Sequence, residues 1–281
     1  KQSKPDSDTH KELTRALETI EADELYILKI SDYNTTGLPG SEQLRNSPWH
    51  RLIKVVGESD KEDTSGGAFG IGKYAAFVCS KLKAVFYATL DENQESAFQG
   101  VAKLISFEDK DGEPYQATGF YGKREKKQPI KDMNEVQFLQ QSNLFRTEPG
   151  TDIFIMGFDY RETWADEIKE AAINSFFSAI HHGSLEVVVD GVKIDSSTLA
   201  TEIQKMKDAS SKSSAIQYFE VLTDPESHLF IEEDFSGLGE VKLFVGLKNH
   251  YNKKTAMIRK TGMLIKEKPN YHIPMKYAAV L

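Results

Sequence analysis

Apolar positions recur at helical spacing in the first stretch of the chain, at Leu13, Leu17 and Ile20. The spacing predicts a solvated helix over Thr9 to Glu21. Leu25-Tyr26-Ile27-Leu28-Lys29-Ile30 is a near-continuous apolar run and reads as a buried strand. It ends in Ser31-Asp32-Tyr33-Asn34-Thr35-Thr36-Gly37, a cluster of turn-forming residues. Residues 38–66 are rich in Pro, Gly, Ser and charge. They read as a long mobile segment of the kind that is usually functional, with a short helix around Trp49 to Val56. A glycine-rich loop, Gly66 to Gly72, then leads into a helix over Lys73 to Ser80.

Strand-like segments follow at Ala84 to Leu90, Ala97 to Phe107, Tyr115 to Tyr121 and Asp152 to Phe158, with a hairpin signal at Asp109-Lys110-Asp111-Gly112. Lys123 to Gln128 reads as a solvated basic loop. Trp164 to His181 has the pattern of an amphipathic helix (Ile168, Ala172, Phe176, Phe177, Ile180), and Gly183 stops it. A second module begins there. It has a hairpin over Leu185 to Ile194 turning at Asp190-Gly191, a helix over Thr198 to Met206 and a polar spacer at Ser210 to Ser214. Its strands are expected at Val241 to Leu247 and Ala256 to Ile265. The layout is α+β in two modules, with a boundary near residue 160.

Composition narrows the function classes. The chain has 281 residues, 39% hydrophobic and 28% charged, enough apolar material for a real core. No apolar run approaches the roughly 18 residues of a membrane-spanning helix. The polar start, Lys1 to His10, does not read as a signal peptide. A net charge of −8 disfavours a dominant non-specific DNA-binding surface. The one cysteine, Cys79, sits in an apolar stretch and reads as core filler. It gives no internal disulfide and no thiolate cluster, which suits the cytoplasm. Met257, Met263 and Met275 also read as core, and Asp91-Glu92 and Glu232-Glu233-Asp234 as solvated loop charges. His181-His182 has poor metal-ligand spacing, so its expected role is at the dipole of the helix end. There is no HExxH, CxxC or nucleophile elbow.

Three elements in order carry candidate chemistry. The first is Asp32, directly after a strand, with Gly37 behind it. The second is the loop Gly67 to Lys73 opening a helix. The third is Gly150-Thr151 opening a later strand. Gly67, Gly70 and Gly72 let backbone approach a ligand, and a helix start offers unpaired N–H groups to phosphates. Lys73 adds a positive charge. Gly67 to Lys73 fits G-x-x-x-x-G-K, but Tyr74 follows where a P-loop has Ser or Thr, and no buried strand precedes it. A Rossmann fingerprint lacks the same strand. A buried Asp32 carboxylate suits the amino group of adenine, and the Thr151 hydroxyl can share that network. Phosphate on the loop and adenine on Asp32 together specify ATP.

At these residues the sequence resembles the GHKL, or Bergerat-fold, ATPases, the family of gyrase B, the ninety-kilodalton heat-shock chaperone, histidine kinases, MutL and MORC. Ile30 to Leu38 is similar to the family's D-x-G-x-G box, with one extra residue and Asn34 near the first glycine. Gly67-Ala68-Phe69-Gly70-Ile71-Gly72-Lys73-Tyr74 is similar to the chaperone's G-x-F-G-V-G box. Gly150-Thr151-Asp152-Ile153 resembles the G-T-x-I box. The resemblance implies a Bergerat-type α/β sandwich, a mixed sheet with helices on one face, over residues 1–160, with a lid at about 38–66. It implies an incomplete transducer-like α+β module over 161–281. It also implies ATP bound with Mg²⁺ through Asp32, Asn34, Gly37, Gly67, Phe69, Gly70, Ile71, Gly72, Lys73 and Thr151, and a homodimer formed on ATP binding. A transducer supplies a basic residue to the γ-phosphate. Lys253, Lys254, Arg259 and Lys260 are candidates the sequence does not separate, with Arg259 and Lys260 taken forward. More narrowly, Leu28 to Leu38, Gly66 to Phe77 and Arg259 to Met263 resemble a group of bacterial GHKL proteins in defence-like gene neighbourhoods. The client, protein or nucleic acid, is left open.

One family element is missing. The N-box, E-x-x-x-N, carries the Glu that activates water and the Asn that holds Mg²⁺. Within residues 1–31, Glu12, Glu18, Glu21 and Glu24 are followed four residues on by Ala16, Ala22, Leu25 and Leu28. The expectation is a piece of a longer chain or a member that binds without turnover. In either case these residues alone hydrolyse ATP poorly, and a non-hydrolysing interaction module is the alternative.

Overall fold

Alternating apolar residues build one sheet in each half of the chain. The structure is a computed structural model that describes residues 7–43, 45–54, 72–237 and 239–281. The chain divides into two units, Lys1–Tyr160 and Arg161–Leu281, each described by itself.

The first unit opens with α1 (Asp8–Glu21), whose N-cap Ser7 accepts from the His10 N–H at 3.1 Å. Then come β1 (Ile27–Ser31), α2 (Pro48–Ile53), a 3₁₀ turn (Gly72–Tyr74) running into α3 (Ala75–Val78), β2 (Ala84–Leu90) and β3 (Ser96–Lys103). A small hairpin of β4 (Phe107–Glu108) and β5 (Pro114–Tyr115) leads to β6 (Thr118–Tyr121), α4 (Gln137–Ser142) and β7 (Gly150–Met156). The main sheet has the order β1-β7-β2-β3-β6, and its pairs are antiparallel. Side chains alternate between two apolar clusters. Val85, Tyr87, Ala97 and Val101 meet Trp49 and Ile53 of α2 and Phe77 of α3. Ala88, Phe98 and Phe154 meet Ile130, Val136 and Leu139.

The short helix expected around Trp49 is present as α2: Ser47 caps it, and Trp49, 1% exposed, and Ile53 anchor it to the sheet, while Glu42, Gln43, Arg45 and Asn46 beside it are exposed. α1 is solvated, as its sequence implied: Leu17 and Ile20 are exposed, and the helix buries no residue. Two corrections follow. Cys79 is exposed, because it lies just past the end of the four-residue α3. Asp91 is buried rather than solvated, its Oδ1 accepting from the N–H groups of Asn93 and Glu95 at 2.9 Å each.

The second unit holds α5 (Trp164–His181), the hairpin β8 (Val187–Val189) and β9 (Val192–Ile194), α6 (Leu199–Asp208) and α7 (Ala215–Thr223). Its sheet is built from β10 (His228–Glu232), β11 (Val241–Leu247), β12 (Lys254–Ile258), β13 (Leu264–Pro269) and β14 (Tyr277–Val280). The order is β10-β11-β14-β12-β13, mixed because β12 and β14 run parallel. Ile173, Phe177 and Ile180 of α5 and Tyr218 and Val221 of α7 pack with Ala256, Ala278 and Val280. At Gly262 (φ +82°) a Cβ would lie 2.6 Å from Ala179 Cα, so only glycine lets that turn reach α5.

α5 ends as its sequence dictates. Gly183 takes φ +73°, and the Ser184 N–H bonds the Ala179 carbonyl at 2.9 Å. The histidines split the role expected of them. His182 Nδ1 meets the Ser178 carbonyl at 2.8 Å, while burial, followed by neighbouring His182, holds the His181 imidazole below its ordinary pKa. A neutral His181 gives no charge to the helix dipole. Met275 is 58% exposed and is not core. The fold class is α+β, as expected. No helix among the described residues is long and apolar enough to cross a membrane.

Candidate functional site

The antiparallel register of β1 and β7 sets Ser31 opposite Asp152 and carries Asp32 on to Thr151. The Asp32 N–H donates to the Thr151 carbonyl at 3.0 Å, and the Thr151 N–H donates back to Asp32 Oδ1. The two ends meet through the Thr151 backbone, where the sequence reading uses the Thr151 hydroxyl. The Thr35 hydroxyl donates to Asp32 Oδ2 at 3.0 Å. Asp32 is exposed, not buried, because β1 is an edge strand. Each carboxylate oxygen has about two lone-pair directions, so each keeps one for an incoming donor. Leu28 and Ile30 share one face of β1. Ile30, two residues before Asp32, is 49% exposed.

Two residues shape the turn after Asp32. Asn34 takes φ +57°, a left-handed conformation that glycine and asparagine adopt most easily. It therefore does the backbone work of a glycine at that place. Gly37 has φ +64°, and a Cβ there would lie 2.9 Å from Thr89 Oγ1 and 3.0 Å from Asp91 Cα. The buried Thr89 hydroxyl accepts from the Leu38 N–H and donates to the Gly150 carbonyl, both at 2.9 Å. It ties the Asp32 turn to the start of β7.

A charged pair braces the same end of the sheet. Arg146 Nη1 meets Asp152 Oδ1 at 2.6 Å, and Nη2 donates to the Asp32 carbonyl at 2.5 Å. Their side chains are 6% and 0% exposed, and Lys29 Nζ lies 3.4 Å from Asp152 Oδ2. The guanidinium also lies 5.1 Å from the centre of the Tyr33 ring. Gly150 (φ +147°) makes room for it, since a Cβ would fall 2.8 Å from Arg146 Cζ and 2.5 Å from the Asp32 carbonyl oxygen. Arg146, Thr89 and Asp152 were not legible as site residues. One signal was present: Asp152 is a lone carboxylate in the apolar run of β7, and such residues are buried only when paired.

The remaining expected residues fall in three places. Gly67, Phe69, Gly70 and Ile71 lie outside the described residues. Gly72 and Lys73 open the 3₁₀ turn before α3, and Gly72 has open space around it. Arg259 and Lys260 lie in the second unit, on the turn between β12 and β13, closed by the Gly262 N–H on the Arg259 carbonyl at 2.7 Å. Lys253 and Lys254 are engaged with the Ile273 carbonyl (2.8 Å) and Glu267 (2.6 Å). Among the described residues no group of three or more His, Cys, Asp or Glu could hold a metal ion.

No family model matches the chain, and no curated protein sequence matches it. Among solved structures, the ATPase and transducer domains of DNA topoisomerase II from Balamuthia mandrillaris are similar, with a TM-score of 0.40 and 12% identity. The match covers 91% of this chain and 58% of that chain. At this TM-score the likeness carries no weight, and the functional reading stands on the residues.

Proposed function

We propose that the chain is an ATP-binding module of the GHKL type and acts as a nucleotide-gated conformational and dimerisation switch. One observation carries this reading. The Asp32 carboxylate stands at the open end of β1, fixed by the Thr151 N–H and followed by two left-handed residues, Asn34 and Gly37. That gives a fixed acceptor for an exocyclic amino group, with Ile30 offering apolar surface to the base. The phosphates would be held by Gly67, Phe69, Gly70, Ile71, Gly72 and Lys73, with Arg259 or Lys260 the basic contact to the γ-phosphate. Mg²⁺ would be carried by the phosphates and would supply charge neutralisation there. The lid would be the stretch of about residues 38–66, within which the buried Trp49 is a fixed point. Work in bacterial anti-phage defence, in the cytoplasm and on a protein or nucleic-acid client, belongs to the same proposal.

The second reading, a module that binds without turnover, is favoured by the lack of E-x-x-x-N in residues 1–31. Both readings share the site and are separated by hydrolysis. Titration of a fluorescent ATP analogue against the chain and its Gly70→Asp variant tests the site. A carboxylate among phosphates should abolish binding, and unchanged affinity would overturn the site. Vigorous hydrolysis by these residues alone would overturn the non-hydrolysing reading.

A further inference from the structure

Among the described residues, the sheet of the second unit has two unpaired edges of opposite character. β13 ends the sheet with exposed Lys266, Lys268 and Pro269, residues that discourage another strand from pairing. β10 ends it with His228-Leu229-Phe230-Ile231-Glu232, and all five residues are exposed. Leu229, Phe230 and Ile231 are 47%, 59% and 52% exposed. Among the described residues β10 pairs with β11 alone. An apolar, unguarded edge is a surface for strand addition.

We propose that β10 is a self-docking edge, through which two copies of this chain pair antiparallel about a two-fold axis at Phe230. The sequence of the strand is complementary to itself in that register. His228 comes opposite Glu232 of the second copy, Leu229 opposite Ile231, and Phe230 opposite Phe230. Leu229 and Ile231 share one face, so the pair forms a four-residue aliphatic cluster there. The other face carries the two phenylalanines between two His–Glu pairs. Neighbouring registers lose this match. Centring on Leu229 sets Glu232 against Glu226, and centring on Ile231 sets Leu229 and Phe230 against Glu233 and Glu232. A one-residue slip would turn the apolar residues to the wrong face. The strand also ends where the match ends, because Asp234 Oδ1 takes the Gly237 N–H at 3.0 Å and turns the chain. The guarded β13 edge makes the assembly close at two copies.

This pairing is independent of nucleotide, so it is tested by sedimentation equilibrium of the chain without ATP. The expected result is a dimer with a dissociation constant on the order of micromolar. Phe230→Lys sets two positive charges on the axis and should leave a monomer. His228→Glu should weaken the dimer about tenfold by opposing carboxylates. Adding Glu232→Lys to it should restore the affinity by forming Glu–Lys pairs. These positions are exposed, so at concentrations well below that dissociation constant, where the parent is also monomeric, the melting temperature of each variant should stay that of the parent. A chain that is monomeric at on the order of 100 µM overturns the proposal. So does a dimer indifferent to Phe230→Lys, an open-ended assembly, or a monomer that takes up only a foreign strand.

Discussion

The two units keep their polar groups in different places. Among the described residues, seven of the nine buried polar or charged residues belong to the first unit: Ser41, Ser47, Ser80, Thr89, Asp91, Gln99 and Asp152. The second unit has Ser178 and Glu202 and otherwise packs aliphatic and aromatic side chains around α5 and α7. A buried polar group costs free energy unless it is hydrogen-bonded, so a structure that gathers them must use them to fix geometry. Thr89, Arg146 and Asp152 do this around the Asp32 turn. The second unit is held by close packing, and its exposed edge strand carries its inferred interaction. The contrast predicts that the two units fail under different perturbations.

The largest effect is expected in the second unit. Phe177 is fully buried in its core, so Phe177→Ala should cost that unit about 4 kcal/mol. Segment-resolved hydrogen exchange should show faster exchange in α5 and α7, with β2 and β7 unchanged. Equal loss in both units would break the comparison.

Next is the charged brace of the first unit. Arg146→Met leaves the Asp152 carboxylate buried with Lys29 alone, at 3.4 Å. The expected cost is about 3 kcal/mol in denaturant melts of the first unit, and the double variant Arg146→Met with Asp152→Leu should recover most of it. Failure of that recovery would show that the guanidinium acts through the Asp32 carbonyl instead.

The smallest effect concerns pH in the second unit. His181 has its pKa lowered by burial and then by His182, from an ordinary value of 6.5. The unfolded chain therefore takes up a proton before the folded unit does. The contribution is present in full above pH 6.5 and is lost as pH falls through the folded value. His181→Phe should flatten that acid slope, and solvent around a half-buried ring makes this the smallest of the three effects. A slope unchanged in the variant would assign it to other groups.

Long periodic elements were legible in the sequence. α5 and its Gly183 stop, the Asp190-Gly191 hairpin and β2 follow directly from spacing and turn chemistry. α7 was missed because Ala-Ile-Gln-Tyr-Phe-Glu-Val-Leu-Thr is apolar around much of its circumference and has no side-chain cap. α4 is six residues with no side-chain N-cap, and β14 is four buried residues, both too short for a period to register. β10 is exposed at every position, so it has no alternation to read. Asp32 and Thr151 were singled out from their places at strand ends, and the structure brings the two together. Arg146 was not, because its role arises only when Gly150 lets it cross to the Asp32 carbonyl.

The central claim is that Asp32 is an acceptor for the base of a nucleotide. Calorimetric titration of the chain with a non-hydrolysable ATP analogue and Mg²⁺, repeated with Asp32→Asn, tests it most directly. The asparagine oxygen can still accept from the Thr151 N–H, so the turn should persist. The account predicts saturable binding by the parent and a loss of about 10- to 100-fold in the variant. Equal affinity in the two, or no binding by the folded parent, would contradict it.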